Sequence, residues 1–67
     1  MTIERQTKIV NSEQTYEWSM ETTNNASIEA FKDASDGLMI RSDGWYWELE
    51  DLEELKEFID TLIREAF

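Results

Sequence analysis

The run Asp51-Leu52-Glu53-Glu54-Leu55-Lys56-Glu57-Phe58-Ile59-Asp60-Thr61-Leu62-Ile63-Arg64-Glu65-Ala66 carries the clearest pattern in the chain. Leu52, Leu55, Phe58, Ile59, Leu62, Ile63 and Ala66 recur at steps of three and four, which lines one side of an α-helix with apolar side chains. The spacing predicts an amphipathic helix over residues 51–66. Asp51 followed three residues later by Glu54 fits a capping box, with Asp51 accepting from the first free amides and Glu54 reaching back. The acids at Glu50, Glu53 and Glu54 suit the positive end of the helix dipole.

A helix with one apolar side needs a second layer to cover it, and the residues upstream read as strands. In residues 38–49, Asp43-Gly44 suits the two positive-φ positions of a type I′ turn, so this stretch reads as a hairpin. That register pairs Ser42 with Trp45, Arg41 with Tyr46, Ile40 with Trp47, Met39 with Glu48 and Leu38 with Leu49. It gathers Leu38, Ile40, Trp45, Trp47 and Leu49 on one face toward the helix, with Met39, Arg41 and Tyr46 outside. Tyr16, Trp18 and Met20 alternate with Glu17, Ser19 and Glu21, the period of a strand with one wet face. A weaker strand over residues 3–10 joins it through Asn11-Ser12-Glu13-Gln14. Residues 26–34 fit a strand after the Asn24-Asn25 turn better than a short helix ending near Gly37. The fold class expected is therefore α+β: a small antiparallel meander of four to five short strands packed against one C-terminal amphipathic helix.

With 67 residues the chain has room for one domain, residues 1–67, and one modest core. It contains no cysteine and no histidine, which removes disulfides, thiolate or imidazole metal sites and any triad built on those residues. Stability must come from packing, in which three tryptophans, Tyr16, Phe31 and Phe58 offer the apolar area; a monomer is expected first and a homodimer second. Phe67 at the helix terminus either tucks under the sheet or joins a subunit interface. Neither a signal peptide nor an apolar run long enough to span a bilayer is visible, so the chain reads as cytoplasmic.

Nothing in the sequence assembles a catalytic site. The two glycines, Gly37 and Gly44, cannot build a phosphate loop or a dinucleotide fingerprint. Asp33, Asp36 and Asp43 lack the offsets of a calcium loop and read as turn formers. The expectation is no enzyme, no metal and no cofactor. The aromatic residues invite comparison with base-stacking sheets, but a net charge of -10 argues against direct binding to nucleic acid.

The charge is unevenly placed. Residues 1–42 hold seven acids against four bases, whereas residues 43–67 hold nine acids against Lys56 and Arg64. Glu50, Glu53, Glu54, Glu57 and Asp60 are expected on the helix face opposite the apolar stripe, with Asp43, Tyr46 and Glu48 beside them at the hairpin end. These eight residues form the candidate partner-binding surface, suited to steering a basic protein and, in the extreme, to imitating the phosphates of DNA. In size, acidity and lack of catalytic residue types the chain is similar in general composition to accessory proteins of phages and other mobile elements, a likeness that rests on no particular residue. The function expected is that of a small acidic binding protein that docks on and inhibits a basic, nucleic-acid-binding partner. The alternative is a structural or assembly protein that self-associates through a sheet edge or its C-terminal helix.

Overall fold

The computed structural model describes residues 2–33, 37–43 and 46–67. Among these residues four strands precede one helix: β1 (Ile3–Val10), β2 (Glu13–Glu21), β3 (Ser27–Lys32), β4 (Leu38–Asp43) and α1 (Leu49–Glu65). The strands form one antiparallel sheet in the order β1-β2-β3-β4, so the α+β meander under a C-terminal helix is the architecture found.

The first two turns have local causes. β1 and β2 stay paired out to Val10 opposite Glu13, which shortens the expected four-residue connection to Asn11 and Ser12 alone. Both have positive φ, 52° and 66°, the requirement of a type I′ turn whose twist matches that of the strands. Between β2 and β3, Asn25 takes the left-handed conformation at φ 66° and donates its N–H to the Thr22 carbonyl at 3.0 Å. Thr22 N–H donates to the Ala26 carbonyl, and the Thr22 hydroxyl accepts from Ala26 N–H at 3.0 Å. A non-glycine residue is tolerated here because asparagine visits this region at low cost.

The expected hairpin over residues 38–49 is not formed. β4 pairs with β3, from Lys32 opposite Leu38 to Ser27 opposite Asp43. Residues 46–48 belong to no strand and Leu49 opens the helix, so the pairs Arg41–Tyr46, Ile40–Trp47, Met39–Glu48 and Leu38–Leu49 are absent. Gly44 and Trp45, the proposed tip and first pairing residue, lie outside the described residues. The physical reason is competition for the same chain: α1 begins two residues earlier than expected and takes Glu48 as its N-cap, which leaves too few residues for a fifth strand.

Facing residues in adjacent strands share a side of the sheet, so the register defines the core. One row on the helix side runs Arg5, Trp18, Ala30, Ile40, and the next runs Ile3, Met20, Ile28, Ser42. Trp18, Met20, Ile28 and Ala30 are buried against Phe58, Leu62 and Ala66 of the C-terminal segment, with Ile3, Leu38 and Leu55 at the margins. Ala30, with no accessible surface, lies at the centre of this cluster. The expected apolar stripe is wider than the contact it makes. Leu55, Phe58, Leu62 and Ala66 face the sheet, whereas Leu52, Ile59 and Ile63 remain 50%, 42% and 63% exposed. Ile40 lies on the helix side of β4, as its alternation implied, yet it too is half exposed.

Candidate functional site

The start of α1 is fixed by carboxylates that receive the β2–β3 loop. Asp51 is not the N-cap but the third helical residue, and it accepts from the backbone N–H of the true cap, Glu48, at 2.9 Å. The same carboxylate accepts from Asn24, through its backbone N–H at 3.4 Å and its side-chain amide at 3.2 Å. The Thr22 hydroxyl contributes most to holding the Asp51 pKa below the usual carboxylate range, followed by Glu48 N–H, with burial opposing and Asn24 adding to the fall. Glu54, one turn later, accepts from the backbone N–H and the hydroxyl of Thr23.

The far end of α1 is held by an ion pair that spans almost the whole chain. Arg5 of β1 donates to both oxygens of Glu65, from Nε and Nη2, each at 2.6 Å, and the Trp18 indole N–H donates to Oε1 at 3.1 Å. This bidentate geometry ties β1, β2 and α1 together and holds the Glu65 pKa down to about 2, first through Arg5 and then through Trp18. The same contact raises Arg5 above its ordinary value.

A pH dependence follows from these two lowered carboxylates. Their folded pKa values lie below the unfolded ones, so the unfolded chain binds more protons as pH falls. The stability they contribute is fully present above the ordinary carboxylate range and drains away as pH drops from about 5 toward 2. Thermal unfolding followed by circular dichroism should therefore show a steady fall in Tm over that window. Glu65→Gln should lower Tm at pH 7 and flatten the slope near its acid end; an unchanged slope would count against the ion pair.

The candidate partner-binding residues are placed unevenly. Glu50, Glu53, Glu57 and Asp60 are exposed on α1, as expected. Glu54 is not: it is half buried against Thr23 and turned toward the loop, since it lies four residues before buried Phe58. Glu48 is exposed at the helix N-terminus, Tyr46 is exposed just before it, and Asp43 closes β4 with its carbonyl accepting from the Ser27 hydroxyl at 3.4 Å. Leu52, Ile59 and Ile63 form an uncovered stripe beside the acids, with Lys56 between them on the helix surface. Phe67 neither tucks under the sheet nor is fully free; it is exposed, with the Lys32 ammonium 4.8 Å from its ring centre.

The other face of the sheet has no covering layer among the described residues. It forms an open concavity of about 430 Å³ whose lining cations are already paired: Arg5 with Glu65, Lys8 with Glu17 at 3.4 Å and Arg41 with Glu29 at 2.5 Å. Met39 is exposed on this side, and Phe31 lies beneath the Arg41 guanidinium. Among the described residues no three acidic side chains cluster as metal ligands, and no helix is long and apolar enough to cross a membrane. Asp36 lies outside the described residues.

The Arg5–Glu65 and Asp51–loop contacts were missed by the sequence reading, although one signal points to them. Asp51, Phe58 and Glu65 are spaced by sevens, so both carboxylates fall on the stripe that buries Phe58. A carboxylate on a buried stripe needs donors from the facing layer. Compared with family models, with curated proteins and with solved structures, the chain matches none of them.

Proposed function

We propose that this is a small acidic binding protein, without catalysis of its own, that docks through the outer side of α1 on a basic, nucleic-acid-binding protein and blocks it. The observation that carries the reading is the composite surface of α1. Exposed Glu50, Glu53, Glu57 and Asp60 run alongside exposed Leu52, Ile59 and Ile63. Carboxylates alone would give steering and salt-sensitive attraction; an adjoining apolar stripe adds area that gains free energy on desolvation. At about 1.5 Å rise per residue, these four acids recur roughly every 5 Å along the axis, somewhat sparser than the 3.4 Å of one DNA strand.

The test is capture of partners on immobilised protein at low and high salt, repeated with a variant carrying Glu53→Lys, Glu57→Lys and Asp60→Lys. Glu54 is left intact because it holds the Thr23 loop. A basic partner should be captured at low salt and released at high salt, and the triple variant should bind it at least 100-fold more weakly. Ile59→Ser with Ile63→Ser should weaken binding about 10-fold with little change in its salt dependence. Capture unaffected by the charge reversal would rule out this surface.

A second reading, an assembly protein that self-associates, is favoured by one observation. β1 is an outer strand of eight residues, exposed from Glu4 to Val10.

A further inference from the structure

The direction of each backbone group on β1 follows from its turn. In a two-residue type I′ hairpin the flanking pair, here Val10 and Glu13, exchanges hydrogen bonds. Counting back in twos, Lys8, Gln6 and Glu4 also turn N–H and C=O toward β2, while Ile9, Thr7, Arg5 and Ile3 turn theirs outward. The Ile3 carbonyl is accordingly open to the Arg5 guanidinium, from which it accepts at 3.3 Å.

We propose that β1 pairs with β1 of a second copy, antiparallel, about a two-fold axis through Gln6, to give one continuous eight-stranded sheet. The proposal rests on the self-association reading and gives it a surface and a register. Parity and charge select that register. An axis between two residues would set outward-pointing groups against inward-pointing ones, so it must pass through a residue. At Arg5 it would set two guanidinium groups against each other. At Thr7 it would leave Glu4 opposite Val10 and Lys8 opposite Gln6. At Gln6 it sets Glu4 against Lys8, Arg5 against Thr7 and Ile3 against Ile9, each twice by symmetry. Glu4 and Lys8 then meet on the open face of the sheet. Ile3, at the margin of the core, meets exposed Ile9 on the helix face.

Charge also favours this strand over the rest of the molecule. Among the described strands and helix, β1 alone has more bases than acids, Arg5 and Lys8 against Glu4. In a chain of net charge -10, it is where a second copy meets the least repulsion. The other outer strand, β4, only balances Arg41 against Asp43. An outer strand of this length, with no proline or bulge to blunt it, is also the usual template for strand addition.

The absence of cysteine makes the register directly readable. A non-hydrogen-bonded antiparallel pair brings Cα atoms to about 4.5 Å, within disulfide reach. Under mild oxidation Gln6→Cys should form a covalent dimer at least tenfold faster than Glu4→Cys or Lys8→Cys, whose equivalents lie about 13 Å from their own copies. Equilibrium sedimentation of the unaltered chain should show a dimer. Thr7→Pro, which removes an outward N–H and no bond of the sheet, should be monomeric with an unchanged circular dichroism spectrum. If Thr7→Pro loses that spectrum, the ranking of the three cysteine variants decides. A chain that stays monomeric at millimolar concentration overturns both this pairing and self-association. A dimer without preferential Gln6→Cys cross-linking overturns the β1 pairing alone and moves self-association to another surface.

Discussion

Phe58→Ala is expected to leave the chain largely unfolded at 25 °C. Phe58 is completely enclosed and is the largest side chain that α1 sends into the sheet, where it packs in one cluster with Trp18, Met20, Ile28 and Ala30. Truncating an enclosed phenylalanine costs about 3–5 kcal/mol, part in lost transfer free energy and part in the cavity left behind. A domain this small has a total stability of roughly 3–10 kcal/mol. No disulfide or histidine–cysteine metal site makes up the difference, because the chain has neither residue type. Urea titration followed by far-ultraviolet circular dichroism should show Phe58→Ala without a folded baseline. Phe58→Leu should keep a cooperative transition, weakened by about 1–2 kcal/mol. Ile63→Ala, at a position 63% exposed, should shift the midpoint by less than about 0.5 kcal/mol. A wild-type midpoint for Phe58→Ala would mean that the sheet does not depend on the helix.

The contrast between Phe58 and Ile63 also marks where the sequence could be read and where it could not. Both belong to the same three- and four-residue apolar spacing, which is enough to name the helix. Spacing alone cannot say how much of a broad stripe a narrow sheet will cover. The strands were legible for a related reason: Trp18 and Met20 alternate with polar neighbours, and that period places them inward wherever the strand ends. What sequence missed depends on competition between neighbours. Asp43-Gly44 is a sound turn signal taken alone, but Glu48 and Asp51 form a capping pair that claims the residues a fifth strand would need. The Arg5–Glu65 clasp joins residues 60 positions apart, and no local pattern could select Arg5 among the six cations of the chain. The acidic surface was legible as charge, and its apolar half emerged only from the exposure of Leu52, Ile59 and Ile63.

Asp51→Ala is expected to lower Tm by more than any single change on the acidic surface, on the order of 10 °C for a domain of this size. The carboxylate is fully enclosed and collects donors from two directions: Glu48 N–H at the helix start, and the backbone and side chain of Asn24 from the β2–β3 loop. Removing it takes the acceptor from all of these donors at once and leaves a gap at a fully enclosed position, so the loss exceeds that of a single hydrogen bond. Asp51→Asn keeps the volume and one acceptor oxygen but turns an N–H₂ toward existing donors, so its Tm should fall between wild type and Asp51→Ala. Glu53→Ala is the matched control: it removes one partner of the exposed Glu53–Glu57 repulsion and should be neutral or stabilising by a few tenths of a kcal/mol. Hydrogen exchange localises the effect. In Asp51→Ala the amides of Asn24 and Glu48 should exchange faster, while those of β1, at the other end of the helix contact, should change only through global stability. Because Asp51 sets where α1 begins, its loss should also loosen Glu50 and Glu53, and a partner held by the acidic face should bind Asp51→Ala more weakly although Asp51 itself is buried. Equal weakening of a partner by Asp51→Ala and by Phe58→Leu would assign that effect to stability in general; weakening by Asp51→Ala alone would assign it to the first turn of the helix.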